Sequence, residues 1–112
     1  MPIPNADRAV IDQAKLHGYL LSRSHPVGRF KAAFFLALGY SPEDWRRFEA
    51  DLRSQHLPKD ATLEERTSYG QKYAIHAKLV GPSGSAADVV SVWFVRPGEE
   101  FPRFVTAYPE GG

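Results

Sequence analysis

The chain has 112 residues, 43% of them hydrophobic and 24% charged, which fits one domain large enough to bury its own core. It contains no cysteine, which excludes disulfide frameworks and thiolate metal sites and agrees with a reducing compartment. Its net charge of +1 carries no message about polyanions, but the distribution of charge does. No carboxylate falls between Asp12 and Glu43, whereas Lys15, His17, Arg23, His25, Arg29 and Lys31 all do. A local basic field inside a near-neutral chain is a candidate anion site.

The opening "MPIPNADRAV" lacks the basic flank and apolar run of a secretory signal. No stretch approaches the roughly 20 apolar residues of a membrane span. The expectation is a chain without a membrane segment, any export address being carried elsewhere.

The first helix is expected after Asp12, a good N-cap, over residues 13–22, with Leu16, Tyr19 and Leu20 on its buried face. Pro26 and Gly28 then make a turn. A second helix over residues 29–39 places Phe30, Phe34, Ala37 and Leu38 at helical spacing, with Gly39 as its C-terminal stop. A third, over residues 41–57, has Ser41 as N-cap, Pro42 at its first position, Asp44 in the capping-box place, and a Trp45, Phe48, Leu52 stripe.

At "LPKDA", residues 57–61, the apolar spacing changes from helical to alternating. Residues 61–67 read as a weak strand. Residues 71–80 are a better one, with Tyr73, Ile75, Ala77 and Leu79 on one face. "GPSGS" is a hairpin turn, and residues 87–95, rich in β-branched and aromatic side chains, make the strongest strand. "RPGEEFP" turns the chain into a last strand over residues 103–109. Simple alternation there puts Phe104, Thr106 and Tyr108 on one face and Arg103, Val105 and Ala107 on the other, unless a bulge intervenes. Helices first and hairpin-linked strands second define an α+β fold. It has one domain, a helical half over residues 5–57 and a β-meander half over residues 61–109, with about three helices on one face of a four-stranded antiparallel sheet. The other face of such a sheet can meet solvent or ligand.

His25 is the leading chemical candidate, because an imidazole exchanges protons near neutral pH and this one lies in a loop between Ser24 and Pro26. Gly28 to Lys31 should open the second helix, where outward-pointing N–H groups favour anions and Arg29 and Lys31 add full charges. The plainer readings are a surface-loop histidine and a solvated lysine whose stem lies along the core. On the last strand, Thr106 and Tyr108 could hold a phosphate or a hydroxyl, with Arg103 joining from the strand's start; the plainer reading is ordinary strand packing. His17, His56 and His76 are scattered, without H-E-x-x-H spacing, so no zinc or other metal site is expected. Neither a phosphate-binding glycine loop nor a G-x-S-x-G element is present, and no cofactor is expected. Trp45 and Trp93 are expected in the core.

Together, "KLHGYLL", "HPVGRFKAAFF", "YGQKY", "VVSVWFV" and "PRFVTAYP" resemble a bacterial domain of unknown function that also looks like the toxic C-terminal module of polymorphic toxins. The match runs from about Asn5 to Pro109, and its HPxGxxK and PRxVTAYP pieces are specific in combination. The order of elements is also similar to that of the barnase, EndoU, colicin and RelE ribonucleases. That resemblance implies metal-independent RNA cleavage by 2′-hydroxyl attack. His25, Lys31, Thr106 and Tyr108 would be the catalytic positions, with Arg29, Arg103 and the Gly28 backbone binding substrate. It also implies a small neutralising immunity or antitoxin protein as partner, and a cytoplasmic site of action. The alternatives are a non-catalytic RNA- or protein-binding module using the same basic helix start and sheet face, and a structural domain whose apolar strand face is an interface.

Overall fold

The change of period at residues 57–61 is also the boundary between two layers in the computed structural model, which describes residues 1–26 and 29–111, with the backbone alone for Phe30. Helical segments occupy the N-terminal half. They pack on one face of a four-stranded antiparallel sheet in the order β1-β2-β3-β4, comprising β1 Thr62–Thr67, β2 Gly70–Val80, β3 Ala86–Val95 and β4 Arg103–Pro109. The fold is α+β, as the sequence predicts.

After a single 3-10 turn at Ala6–Arg8, helix α1, Gln13–Lys15, begins where expected, with the Asp12 carboxylate accepting from the Ala14 N–H at 2.9 Å. It widens at once into a π-turn, Leu16–Leu20, closed by the Leu21 N–H donating to the Leu16 carbonyl at 2.8 Å. Such wide turns offset side chains and recur at functional sites. Leu16, Leu20 and Leu21 are fully buried, while Tyr19 is only half-buried.

Helix α2, Arg29–Ala37, is rotated by about one residue from the expected face. Ala32, Phe35 and Leu38 are buried, Phe34 is half-buried and Ala37 is exposed. The helix stop sets this rotation. The Gly39 N–H donates to the Leu36 carbonyl and the Tyr40 N–H to the Phe35 carbonyl, a Schellman arrangement that turns Tyr40 inward. Tyr40 then stacks on Phe48 with ring centres 4.6 Å apart, and Phe35 meets Phe48 at 4.9 Å. The Tyr40 hydroxyl donates to Asp51 at 2.6 Å; burial, reinforced by that bond, pushes the hydroxyl's pKa well above the usual tyrosine range.

The regular part of helix α3 is Trp45–Asp51, which begins three residues later than expected: Asp44 is its N-cap and makes no side-chain cap bond, while the Ser41 hydroxyl accepts from the Asp44 N–H at 3.2 Å in the turn before the helix. A second π-turn, Leu52–His56, carries the chain to the sheet. Phe48 and Leu52 are buried as predicted. Trp45 packs at the margin of the core and is not enclosed by it: it is half-buried, with the Arg46 guanidinium 4.5 Å over its ring and His17 6.1 Å away. A wide ring at the first helical turn has helix on one side only, so its outer face is left to a cation.

On the helix side of the sheet, Ile75, Leu79, Val89, Trp93, Phe104 and Ala107 join the main core, with Tyr73 and Ala77 at its margin. Burying a side chain the size of Phe35 or Phe48 contributes roughly 2–3 kcal/mol. One polar chain crosses this apolar interface. Trp93 Nε1 donates to Ser91 Oγ at 2.8 Å, Ser91 Oγ lies 2.7 Å from His56 Nδ1, and His56 Nε2 lies 3.2 Å from the Ala77 carbonyl. Because a carbonyl only accepts, Nε2 carries the proton and Nδ1 accepts from Ser91, so every donor has one direction.

The open face holds a small cluster of Ala74, Val90 and Val92, flanked by Val105 and Tyr108. The register there corrects the expected alternation in β4. Trp93 pairs with Phe104 but Val92 pairs with Thr106, so Val105 is an extra residue, a β-bulge. Phe104 and Ala107 therefore turn to the helices, whereas Val105 and Tyr108 pack on the open face.

Two outcomes follow for stability. Gly39 has φ of 102°, and a Cβ there would lie 2.5 Å from the Ser83 backbone nitrogen. Gly39→Ala should therefore cost about 2 kcal/mol or more in urea unfolding. Burial lowers the pKa of His56 from 6.5 to about 4, so below pH 6.5 the unfolded chain binds a proton that the folded one refuses. That contribution is complete above pH 6.5 and is lost as pH falls towards 4, amounting to roughly 3 kcal/mol. The loss should be measurable as a falling urea midpoint in the wild-type protein, and it should be absent from His56→Gln.

Candidate functional site

β4 is an edge strand, and two elements reach it from outside the sheet. At its start Val10 lies parallel to Arg103, donating to the Pro102 carbonyl and accepting from the Phe104 N–H, both at 2.9 Å. Beyond the bulge the edge is met by a side chain, Lys31 from the first turn of α2. Lys31 Nζ donates to Thr106 Oγ1 at 3.1 Å and to the Tyr19 hydroxyl at 3.2 Å, and lies 5.3 Å from the Tyr19 ring centre. His25 packs edge-on against that ring, with centres 5.0 Å apart. Residues from the first π-turn, the following loop, α2 and β4 thus converge, with Lys31 and Thr106 separated by 75 positions in the chain.

The loop that holds His25 is built locally. The Ser22 hydroxyl accepts from the backbone N–H groups of Ser24 and His25, at 3.3 and 3.1 Å, a serine turn. The His25 carbonyl in turn accepts from the Arg29 N–H at 3.1 Å, tying the loop to the start of α2.

The donor count gives this cluster its chemistry. A lysine ammonium has three donors, and the two hydroxyls use two of them, leaving one. Each hydroxyl accepts from Lys31, so its own proton is directed elsewhere. Among the described residues no carboxylate pairs with Lys31. One N–H and two O–H donors around an unneutralised, half-buried cation match the oxygens of an oxyanion such as a phosphate.

The remaining candidates fall around this centre. Thr106 stands opposite Val92 and Tyr108 opposite Val90, so both belong to the open face, and the Tyr108 ring packs on the small cluster there. Arg29 is exposed at the start of α2. Gly28 lies outside the described residues. Arg103 is held by Glu99 through bonds of 3.1 and 2.7 Å. The hydrogen bond from Arg103 keeps the Glu99 carboxyl below its usual pKa and raises that of the guanidinium. Tyr19 was not among the candidates from sequence, because its helical spacing with Leu16 and Leu20 reads as core. The one available signal was its hydroxyl, since a tyrosine in an apolar stripe buries its ring and keeps its tip wet. Among the described residues no helix is long and apolar enough to cross a membrane, and no group of His, Asp and Glu is arranged to hold a metal ion.

The chain belongs to the family described as Domain of unknown function (DUF6883), which matches residues 2–111. No curated protein matches it. Its fold is similar to that of a chain from a contact-dependent growth inhibition toxin–immunity protein complex of Klebsiella pneumoniae 342. The identity is 22% over 96% of this chain and 97% of that one, with a TM-score of 0.55.

Hydrogen bonds of a half-exposed lysine to hydroxyls exchange readily with water. Lys31→Met should therefore change the unfolding free energy by no more than about 1 kcal/mol in urea titration, which would separate the cluster from the load of the fold.

Proposed function

We propose that the chain is a toxin-type module whose activity is endonucleolytic cleavage of RNA by 2′-hydroxyl transesterification. One observation carries the reading: Lys31 Nζ sits between the Thr106 and Tyr19 hydroxyls with His25 against the Tyr19 ring, an oxyanion-matched donor set beside a proton carrier. The fold likeness to a chain of a toxin–immunity protein complex supports the toxin-type context, and with it a small immunity protein as partner.

In this reading the RNA 2′-oxygen attacks the adjacent phosphorus and gives its proton to His25. The bond to the 5′-oxygen breaks, and that oxygen takes up a proton. The products are a 2′,3′-cyclic phosphate and a 5′-hydroxyl. As the attack adds negative charge to the nonbridging oxygens, the remaining Lys31 donor and the Thr106 and Tyr19 hydroxyls meet it. These donors are already in place, so little reorganisation is needed. The bulge keeps Thr106 at the strand edge, within reach of Lys31. Tyr108 lines the open face beside this centre.

Incubation of wild type, His25→Ala and Lys31→Met with total RNA in EDTA tests the reading. Wild type should release fragments with cyclic-phosphate ends, and each variant should be slower by about 100-fold or more. DNA lacks the nucleophile and should survive. Equal cleavage of DNA, or RNA bound but left whole by the wild type, would overturn the mechanism; the second result would make the same cluster a binding site.

A further inference from the structure

Next to the Lys31 cluster, the start of β4 forms a cleft of about 220 Å³ whose lining includes Lys15, Phe94, Arg96, Arg103 and Val105. That is below the roughly 300–1,000 Å³ of a site enclosing a whole small molecule, and suits one unit of a polymer. The cleft runs onto the open sheet face, because Phe94 pairs with Arg103 on one side and with Lys72 on the other. Alternation in β2 puts Tyr73 and Ile75 on the helix side, so Lys72 stands with Ala74 on the open face.

The charges here are uneven in a specific way. Two carboxylates approach the cleft and both are engaged: Asp12 accepts from the Ala14 N–H, and Glu99 is bound by Arg103, with Arg96 at 3.8 Å. Lys15 and Lys72 have no carboxylate partner among the described residues, and Lys72 and the Phe94 ring are only half-buried. Unneutralised lysines flanking an accessible aromatic ring, over a floor as small as Ala74 and Val92, are suited to a single-stranded polynucleotide: bases stack on the ring and phosphates meet the cations. Val105, the bulge residue, lines the cleft and is the chain neighbour of Thr106, so the cleft continues directly from the Lys31 cluster.

We infer that this cleft and the adjoining open face seat the nucleotide that flanks the scissile phosphate, with Phe94 as the stacking platform and Lys15 and Lys72 as phosphate contacts. The inference rests on the ribonuclease reading for the identity of the strand as RNA.

Fluorescence anisotropy with a labelled RNA hexamer, 2′-O-methylated throughout so that it cannot be cut, tests it alongside cleavage of the unmodified hexamer. Phe94→Leu should weaken hexamer binding about tenfold. Lys72→Ala should reduce the slope of log affinity against log salt by about 0.7, one phosphate contact. Lys59→Ala, beyond the second π-turn, should change neither. If both open-face variants bind like wild type while wild type still cleaves, the track is overturned and the ribonuclease reading stands. If the two variants show the expected binding losses but wild type cleaves nothing, the track stands and the ribonuclease reading falls. A wild type that neither binds nor cleaves removes both.

Discussion

One extra residue in β4 sets the arrangement of everything chemical in this protein. Without the bulge at Val105, strict alternation would send Phe104, Thr106 and Tyr108 to a single face. Either the core would lose Phe104, which meets Trp93 with ring centres 5.1 Å apart, or Thr106 and Tyr108 would be buried beneath the helices. The bulge separates these demands. Phe104 and Ala107 complete the helix-side core, while Val105 and Tyr108 dress the open face and Thr106 stays at the edge where Lys31 can reach it.

The covering of that edge has its own logic. Exposed strand edges invite pairing with other chains, and here the first part is closed by the Val10 backbone, while past the bulge Lys31 reaches the Thr106 side chain. A carboxylate partner would have neutralised Lys31. Hydroxyl partners hold its position and leave its charge unspent, so the field it projects is available to an anion. The same contrast recurs around the cleft at the start of β4, where Arg103 is satisfied by Glu99 but Lys15 and Lys72 have no carboxylate partner among the described residues.

The main core of the molecule lies behind this surface. The Tyr40–Phe48–Phe35 stack and the one-way chain from Trp93 through Ser91 and His56 to Ala77 tie the helices to the sheet on the face away from the open one. The histidine that serves the core and the histidine proposed for proton transfer differ in their surroundings. His56 is enclosed and held neutral by burial, whereas His25 is half-buried on a loop wound by the Ser22 turn.

What the sequence determined by itself is local. Alternation of Tyr73, Ile75, Ala77 and Leu79, the Asp12 cap, the glycine stop at Gly39 and the hairpin turn at residues 81–85 each act within a few residues, and each is legible because helix and strand periods are local properties of the backbone. They were sufficient for the element order and the α+β class. The one-residue rotation of α2, the exposure of Trp45's outer face and the bulge at Val105 were decided by packing, which asks for volumes and register that no single segment specifies. The meeting of Lys31 with Thr106 and Tyr19 belongs to the same category. It joins positions 12 and 75 residues apart, and only the docking of α2 against the far edge of the sheet brings them within hydrogen-bond distance.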